Sequence, residues 1–327
     1  MTNSSNMQEV VAALKAGERF VICGHVSPDG DCIGSQLALA EALRTLGKTV
    51  TCLLAKADAL DYSLMQLPGV EEMVVAKDFS DDFDTFVSVD VPTAKRMGEE
   101  AQAIHARAKR TISIDHHIAL EPMSQICCVD ESSPATALMV WDLIKELGVE
   151  RSSSMAAACY VGLMTDTGRF QFQNTNPTAL HGAAEMVEAG ADASALATLM
   201  YQNRSLESMA LEERMLAHHK LIVGGQFAYS YLKISDFVET GATRADAEPL
   251  IDVLRCIRGV RVACLLREQE NGVRGSLRAK DDTDVAAIAQ MFGGGGHKAA
   301  AGFTYEGSLD EAVNAVSSAL EKLADNL

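Results

Sequence analysis

The chain has no apolar run approaching the ~20 residues that a membrane-spanning helix needs. Its opening, Met-Thr-Asn-Ser-Ser-Asn, lacks the basic and then apolar stretch of a secretory signal. Its cysteines (23, 32, 52, 127, 128, 159, 256 and 264) include no C-x-x-C pair and no metal-finger spacing. Most stand in apolar runs, as buried free thiols do. Together these absences point to a reducing cytoplasm and to no membrane. Basic residues are scarce, 28 Lys and Arg against 45 Asp and Glu, for a net charge of −17. That balance excludes coating of long duplex nucleic acid through bulk positive charge. A small anionic substrate in a local site remains compatible with it. No internal repeat or low-complexity tract is present.

What is present is globular: 327 residues, 48% hydrophobic and 22% charged, long enough for about two domains of roughly 150 residues each. Strand-like runs at Phe20–Cys23, Thr49–Leu54, Thr85–Val89, Thr111–Ile114 and Gln125–Val129 alternate with helix-like stretches 34–46, 134–147, 152–164 and 177–189. Ser133-Pro134 reads as an N-cap serine with proline at the first helical position. The alternation predicts an α/β fold, a mainly parallel β-sheet with helices on both faces. A more polar helical segment, 191–220, separates this half (1–190) from a smaller C-terminal α/β domain (221–327). There the expected order is strand 227–233, helix 245–257, a hairpin over 260–280, helix 284–292, a glycine run, a short strand and a last helix. Ser308 and Glu311 form a capping box for that helix, with Val313, Val316, Leu320 and Leu323 on one face.

Chemistry gathers in the first half. Directly after the first strand comes Gly24-His25-Val-Ser-Pro28-Asp29-Gly30-Asp31, where Pro28 and Gly30 predict a tight loop carrying His25, Asp29 and Asp31. Asp90 and Asp115-His116-His117 close two further strands, and Asp166, after the apolar run Tyr160–Met164, is grouped with these strand ends. Any one of these alone reads as turn chemistry, a helix cap or a surface feature. Parallel strands, however, bring their carboxyl ends to one edge, where open α/β sheets bind ligands. Neutral imidazoles with several carboxylates suit a divalent ion of intermediate hardness, Mn²⁺ before Mg²⁺ or Zn²⁺. Four aspartates exceed what one ion needs, so two ions sharing a bridging carboxylate are expected, an arrangement suited to phosphate-ester hydrolysis.

His25-x3-Asp29-x-Asp31, Val89-Asp90, Asp115-His116-His117 and Asp166 resemble, in order, the four signature motifs of the DHH phosphoesterases. The resemblance implies that His25, Asp29 and Asp90 hold one metal. It implies that Asp31, Asp90, His116 and Asp166 hold the other, with Asp90 bridging. His117 then faces the substrate phosphate as acid or electrostatic stabiliser, and Asp115 orients a histidine. Arg169 either reaches a phosphate or lies on the surface.

Between 255 and 280 stand Arg255, Arg258, Arg261, Arg267, Arg274, Arg278 and Lys280 against Glu268 and Glu270, a local +5. Asn271-Gly272 signals a hairpin turn, which would pair 270 with 273 and 267 with 276. Alternation then puts Arg261, Arg267, Arg274, Ser276 and Arg278 on one face and Val262, Cys264, Leu266, Val273 and Leu277 on the other. The charged face reads as phosphate-binding or as a solvated face with its arginines paired to acids. Downstream, Gly293–Gly296 followed by His297 could cradle a phosphate on backbone N–H groups. Gly295, Gly296 and His297 resemble the glycine-histidine element of the DHH-associated C-terminal domain, and Ser276-Leu-Arg278 resembles its phosphate-contacting S-x-R element. Ala279, where related sequences often have serine, and the fourth glycine depart from that pattern.

With both halves matched, the size and layout are similar to the nanoRNase branch of the family. The expected activity is Mn²⁺-dependent hydrolysis of short oligoribonucleotides and of 3′-phosphoadenosine 5′-phosphate, by two-metal-activated hydroxide attack on phosphorus. The alternatives are a phosphodiesterase for cyclic dinucleotides or pApA, and a non-catalytic nucleotide- or RNA-binding module. A homodimer is compatible with the sequence.

Overall fold

The computed structural model describes residues 4–57, 60–117 and 122–324, without the side chains of residues 4–6, His297, 323 and 324. The chain forms two compact units, Met1–Asn203 and Arg204–Leu327. No helix among the described residues is long and apolar enough to cross a membrane.

The first unit contains strands β1 (Arg19–Cys23), β2 (Thr49–Leu54), β3 (Val74–Val75), β4 (Thr85–Val89), β5 (Arg110–Asp115) and β6 (Ile126–Val129). Its helices are α1 (Ser4–Ala16), α2 (Gly30–Thr45), α3 (Tyr62–Met65), α4 (Ala94–Met97), α5 (Glu99–His105), α6 (Thr136–Leu147), α7 (Ser153–Asp166), α8 (Pro177–Glu188) and α9 (Ala193–Tyr201). The strands form one parallel sheet in the order β3-β2-β1-β4-β5-β6. Alternate residues of β1 feed two cores: Phe20 and Ile22 pack with Trp141 and helices α1, α2, α6 and α7, whereas Val21 and Cys23 pack with Phe86, Met97 and Ile104. Burial on both faces explains why these strands read as continuous apolar runs. Fully burying each large apolar side chain stabilises the fold by about 1.5–3 kcal/mol. The chain winds outward from β1 through β2 and β3, then returns to β4 on β1's other side. That reversal opens a crevice at the carboxyl ends of β1 and β4.

The second unit contains α10 (Leu206–Ala217), β7 (Lys220–Ile222), β8 (Phe227–Leu232), α11 (Ile234–Thr240), α12 (Leu250–Arg255), β9 (Val262–Gln269), β10 (Gly272–Ala279), α13 (Val285–Met291), β11 (Gly295–His297), β12 (Ala300–Tyr305) and α14 (Leu309–Ala324). Its mixed sheet has the order β11-β12-β10-β9-β8-β7, with only β8 and β9 parallel. Within segment 191–220, α9 lays Leu196, Met200 and Tyr201 on the first unit's core, and α10 buries Leu211 and Met215 in the second. Ser308 and Glu311 do cap α14 reciprocally, the Ser308 N–H donating to Glu311 at 2.9 Å and the Glu311 N–H to Ser308 Oγ at 3.3 Å. Leu323's side chain lies outside the described residues.

Several local expectations are corrected. Ser133-Pro134 does not open α6; the helix starts at Thr136, and its N-cap Ala135 offers no side chain to the first N–H groups. Helix 245–257 is interrupted at Pro249, which lacks an N–H and leaves a single turn, 245–247, ahead of α12. The hairpin turn lies one residue earlier than expected, at Glu270-Asn271, which moves every cross-strand partner by two: Gln269 is opposite Gly272 and Arg267 opposite Arg274. A shift of two residues keeps side-chain parity. Val262, Cys264, Leu266, Val273 and Leu277 therefore do share the core face.

Candidate metal centre

Four backbone segments deliver the converging groups. Asp29 is the N-cap of α2, accepting from the N–H groups of Asp31 (3.1 Å) and Cys32 (3.0 Å). This puts Asp31 inside the first helical turn rather than on the preceding loop. His25 follows β1, Asp90 follows β4, and Asp115-His116-His117 ends β5. Asp166 corrects the strand-end reading, being the last residue of α7. A carboxylate there faces the negative end of the helix dipole, an unfavourable place unless something positive sits nearby. Asp90 holds φ +59°, a left-handed conformation that aspartate tolerates better than most residues.

His25 Nε2 lies 3.3 Å from Asp90 Oδ2 and 3.6 Å from Asp29 Oδ2. His116 Nε2 lies 3.5 Å from Asp166, 3.7 Å from Asp90 and 4.0 Å from Asp31. In both rings Nδ1 meets a backbone carbonyl, Val26 O at 2.9 Å and Ser133 O at 3.2 Å. The Nδ1–H is thereby fixed, and Nε2 is the nitrogen turned toward the carboxylates. Two donor groups result, His25/Asp29/Asp90 and Asp31/His116/Asp166, each with its ligand atoms within 4.8 Å of one another, and Asp90 also joins His116 and His117 in a third. Asp115 Oδ1 accepts from the His117 backbone N–H (3.0 Å) and meets its Nδ1 at 2.7 Å.

The electrostatics record an excess of buried negative charge. Burial, then the charges of Asp90, Asp166 and Asp29, push the Asp31 carboxyl well above its ordinary range. Asp166 is raised in the same way by burial and by Asp29 and Asp90. Burial would also raise Asp90, but hydrogen bonds from His117 and His25 hold it well below the ordinary range. For His117 burial opposes the charged form, yet its bonds to Asp115 and Asp90 raise it to about 10. Protons thus stand where a cation would relieve crowded carboxylates. Oxygen donors with oriented imidazole nitrogens fit divalent ions of the Mn²⁺ or Mg²⁺ kind.

In the second unit, Arg274, Ser276 and Arg278 alternate along one face of β10. Ser276 lies opposite Gly302, which lies opposite Gly295; Arg278 lies opposite Ala300, which lies opposite His297. Three strands therefore bring positions 276, 278, 295 and 297 into two adjacent rows of the sheet. The His297 side chain lies outside the described residues. A Cβ at Gly302 would come within 2.8 Å of Arg274 Nη2, so its absence makes room for that guanidinium. The glycine run has several causes. Gly294 lets its backbone approach Gly302 O, which a Cβ would meet at 2.2 Å, and Gly296 holds φ +144°. Gly295 faces open space. The arginine face is partly neutralised within the fold, since Arg267 pairs with Glu248 and donates to Ser276 Oγ (2.9 Å), Arg261 pairs with Asp281 and Arg255 with Asp252. Burial weakens the charged form of the Arg278 guanidinium, against the pull of Asp252 and Glu248.

Residues 19–163 match the DHH family N-terminal domain and residues 224–322 the DHHA1 domain. Over 319 residues, 97% of this chain and 94% of the relative, the sequence is 34% identical to a bifunctional oligoribonuclease and PAP phosphatase, NrnA, of Thermus thermophilus. The chain belongs to the DHH family. Its enzymatic class is that of a phosphoric ester hydrolase. The NrnA of Bacillus subtilis is 26% identical over 309 residues, 93% of this chain and 94% of that protein. Among solved structures, an exopolyphosphatase-related protein from Bacteroides fragilis superposes with a TM-score of 0.91 at 26% identity, covering 98% of this chain and 97% of that one. RecJ of Thermus thermophilus, solved in complex with Mn²⁺, shares the fold at TM-score 0.56 and 14% identity, covering 98% of this chain and 55% of that one.

Three supporting residues of this DHH site escaped the motif reading. Thr136 donates its N–H to Asp31 Oδ2 (2.7 Å) and its hydroxyl to Asp90 Oδ1 (3.2 Å), and Ala137 N–H bonds Asp31 Oδ1 (2.7 Å). Asp31 therefore caps α6, which lacks a cap of its own. Asn174 ties Asp166 O (3.1 Å) to Pro134 O (3.0 Å), joining the end of α7 to the entry of α6. Its Asn-Thr-Asn-Pro context is a turn signal that could have marked it. Arg169, held at φ +63°, stacks its guanidinium over Tyr201 with Cζ 4.7 Å from the ring centre. A cavity of about 540 Å³ borders Asp115 and is lined by Val91, Met123 and Glu131, but none of the six converging ligands lines it.

Proposed function

We propose that the protein is a Mn²⁺-dependent phosphoesterase that hydrolyses short oligoribonucleotides and 3′-phosphoadenosine 5′-phosphate. The observation that carries this is the pair of donor groups meeting at Asp90, in a chain whose full length aligns with proteins named for both activities. His25, Asp29 and Asp90 would hold one ion; Asp31, Asp90, His116 and Asp166 would hold the second. Bound there, two divalent ions supply Lewis acidity, activating a water as nucleophile and neutralising charge on the phosphoryl oxygens. The chain's own residues do the rest. Asp115 fixes the His117 ring through Nδ1, so that Nε2 is turned away from Asp115 and would hold a proton for the departing oxygen or bond a phosphoryl oxygen. Ser276 and Arg278, with Arg274, Gly295, Gly296 and His297, grip a phosphate of the substrate. The cysteines, all free and mostly buried, suit a reducing cytoplasm.

The test is turnover of di- to pentaribonucleotides, 3′-phosphoadenosine 5′-phosphate, pApA and a cyclic dinucleotide by the purified protein with Mn²⁺. Hydrolysis of the short oligoribonucleotides and the bisphosphate is expected. Turnover confined to the cyclic compound or pApA, or binding without any turnover, would overturn the reading.

A further inference from the structure

Beside the ligand cluster, at the carboxyl edge of the same sheet, stand cations that the site described above does not use. Arg96 on α4 is pinned to the β1–α2 loop by its own carbonyl, which accepts from Val26 N–H at 2.7 Å. Its guanidinium Nη2 lies 3.3 Å from His25 Nδ1. That nitrogen gives its hydrogen to Val26 O, so it has no lone pair for Arg96 and two donors face each other. No carboxylate among the described residues pairs with Arg96, although acids outnumber bases 45 to 28 in the chain and cluster within the adjoining site.

A second observation lies two residues away. Gly98, just past α4, packs between Val26 and Ala55: a Cβ there would meet Val26 Cγ1 at 3.2 Å and Ala55 O at 3.6 Å. Ala55 opens a cavity of about 250 Å³ at the ends of β2 and β3, lined by Lys56, Lys77 and Glu100 together with Ala57 and Val75. Both lysines are exposed, and neither pairs with Glu100 or any other acid among the described residues. Guanidinium and ammonium donors with no acceptor, at the edge where open α/β sheets bind ligands, match the oxygens of a phosphate.

We propose that Arg96, Lys56 and Lys77 form a phosphate subsite on the catalytic unit itself, which receives the phosphate next to the one that is cleaved. The proposal rests on the phosphoesterase reading and deepens it: substrates with two or more phosphates are preferred over single esters. In a linear oligonucleotide the subsite holds the neighbouring phosphodiester, and in a 3′,5′-bisphosphate the second phosphate.

The experiment measures binding of dye-labelled 3′-phosphoadenosine 5′-phosphate and of equally labelled adenosine monophosphate by fluorescence anisotropy, with Ca²⁺ present, over a range of salt. Wild type is compared with the triple variant Lys56→Gln/Lys77→Gln/Arg96→Gln. The ratio of the two dissociation constants is expected to shift about tenfold against the bisphosphate. The dependence of the bisphosphate's affinity on salt should become shallower in the variant, since three cations that face its second phosphate are lost. An unchanged slope, or equal weakening of both ligands, would overturn the subsite. The readout needs no turnover, so a wild type that binds without hydrolysing would defeat the proposed function and leave the subsite standing.

Discussion

Thr136 shows how much positioning one small residue can do. Its N–H reaches Asp31 and its hydroxyl reaches Asp90, so it links the carboxylates of both donor groups from the first turn of α6. Replacing the hydroxyl by a methyl, Thr136→Val, keeps the backbone bond and nearly the same volume but removes the hydroxyl's bond to Asp90 Oδ1. Groups that orient ligands in this way typically change metal affinity 10- to 100-fold. We expect Mn²⁺ binding by Thr136→Val to weaken about tenfold with an unchanged melting temperature in the metal-free protein. An affinity equal to wild type would show that the hydroxyl does not orient Asp90. No motif could have announced this residue, because its two bonds span 105 and 46 positions of sequence. Apart from Asp166, which ends α7, the motif residues were legible because each ends or follows a strand or opens a helix, where local pattern and chemistry coincide.

At the scale of elements, close packing of helices brings the ligands together. A Cβ on Gly34 of α2 would lie 2.2 Å from Ala158 O of α7, and one on Gly162 of α7 would lie 2.5 Å from the Ala137 Cβ of α6. Only glycine allows these approaches, which seat Asp31 at the start of α2 against Asp166 at the end of α7. At the opposite end of the sheet, Asp84 ties together the starts of β1 and β4. It accepts from the Arg19 N–H (2.7 Å), the Glu18 N–H (3.1 Å) and the Thr85 hydroxyl (2.6 Å). Burial opposes its charge, but these bonds and nearby Arg110 hold the carboxyl below its ordinary range. A depressed folded-state value stabilises the protein above the ordinary carboxyl range, and that contribution is lost as pH falls through the folded value. Asp84→Asn should therefore cost about 1 kcal/mol at pH 7. Denaturant melts should show the gap from wild type closing toward pH 3; a gap that stays constant with pH would contradict the assignment. The strands and most helices were legible in periodicity and turn residues. The entry of α6 was not, because its cap is supplied by Asp31 from a distant segment rather than by Ser133-Pro134.

For the whole molecule, the net charge of −17 conceals a division of labour. Some acids converge at the carboxyl edge of the first sheet, where a cation would relieve their crowding, and others neutralise arginines of the second sheet, as Glu248 does for Arg267. The sequence pattern located the arginine-rich hairpin and its two faces. It did not distinguish arginines held by acids from those left for a ligand, because the acidic partners come from other elements: Glu248 precedes α12 and Asp281 follows β10. The proposed shared-carboxylate centre requires Asp90 to serve two ions at once. Calorimetric titration of the metal-free protein with Mn²⁺, beside Asp90→Asn, tests this most directly. Asparagine tolerates the left-handed backbone at this position, so the fold should persist. The expected result is two ions per wild-type chain, with both sites severely weakened by the substitution. A single ion in wild type, or a variant that still binds two with near-native affinity, would contradict the shared-carboxylate centre.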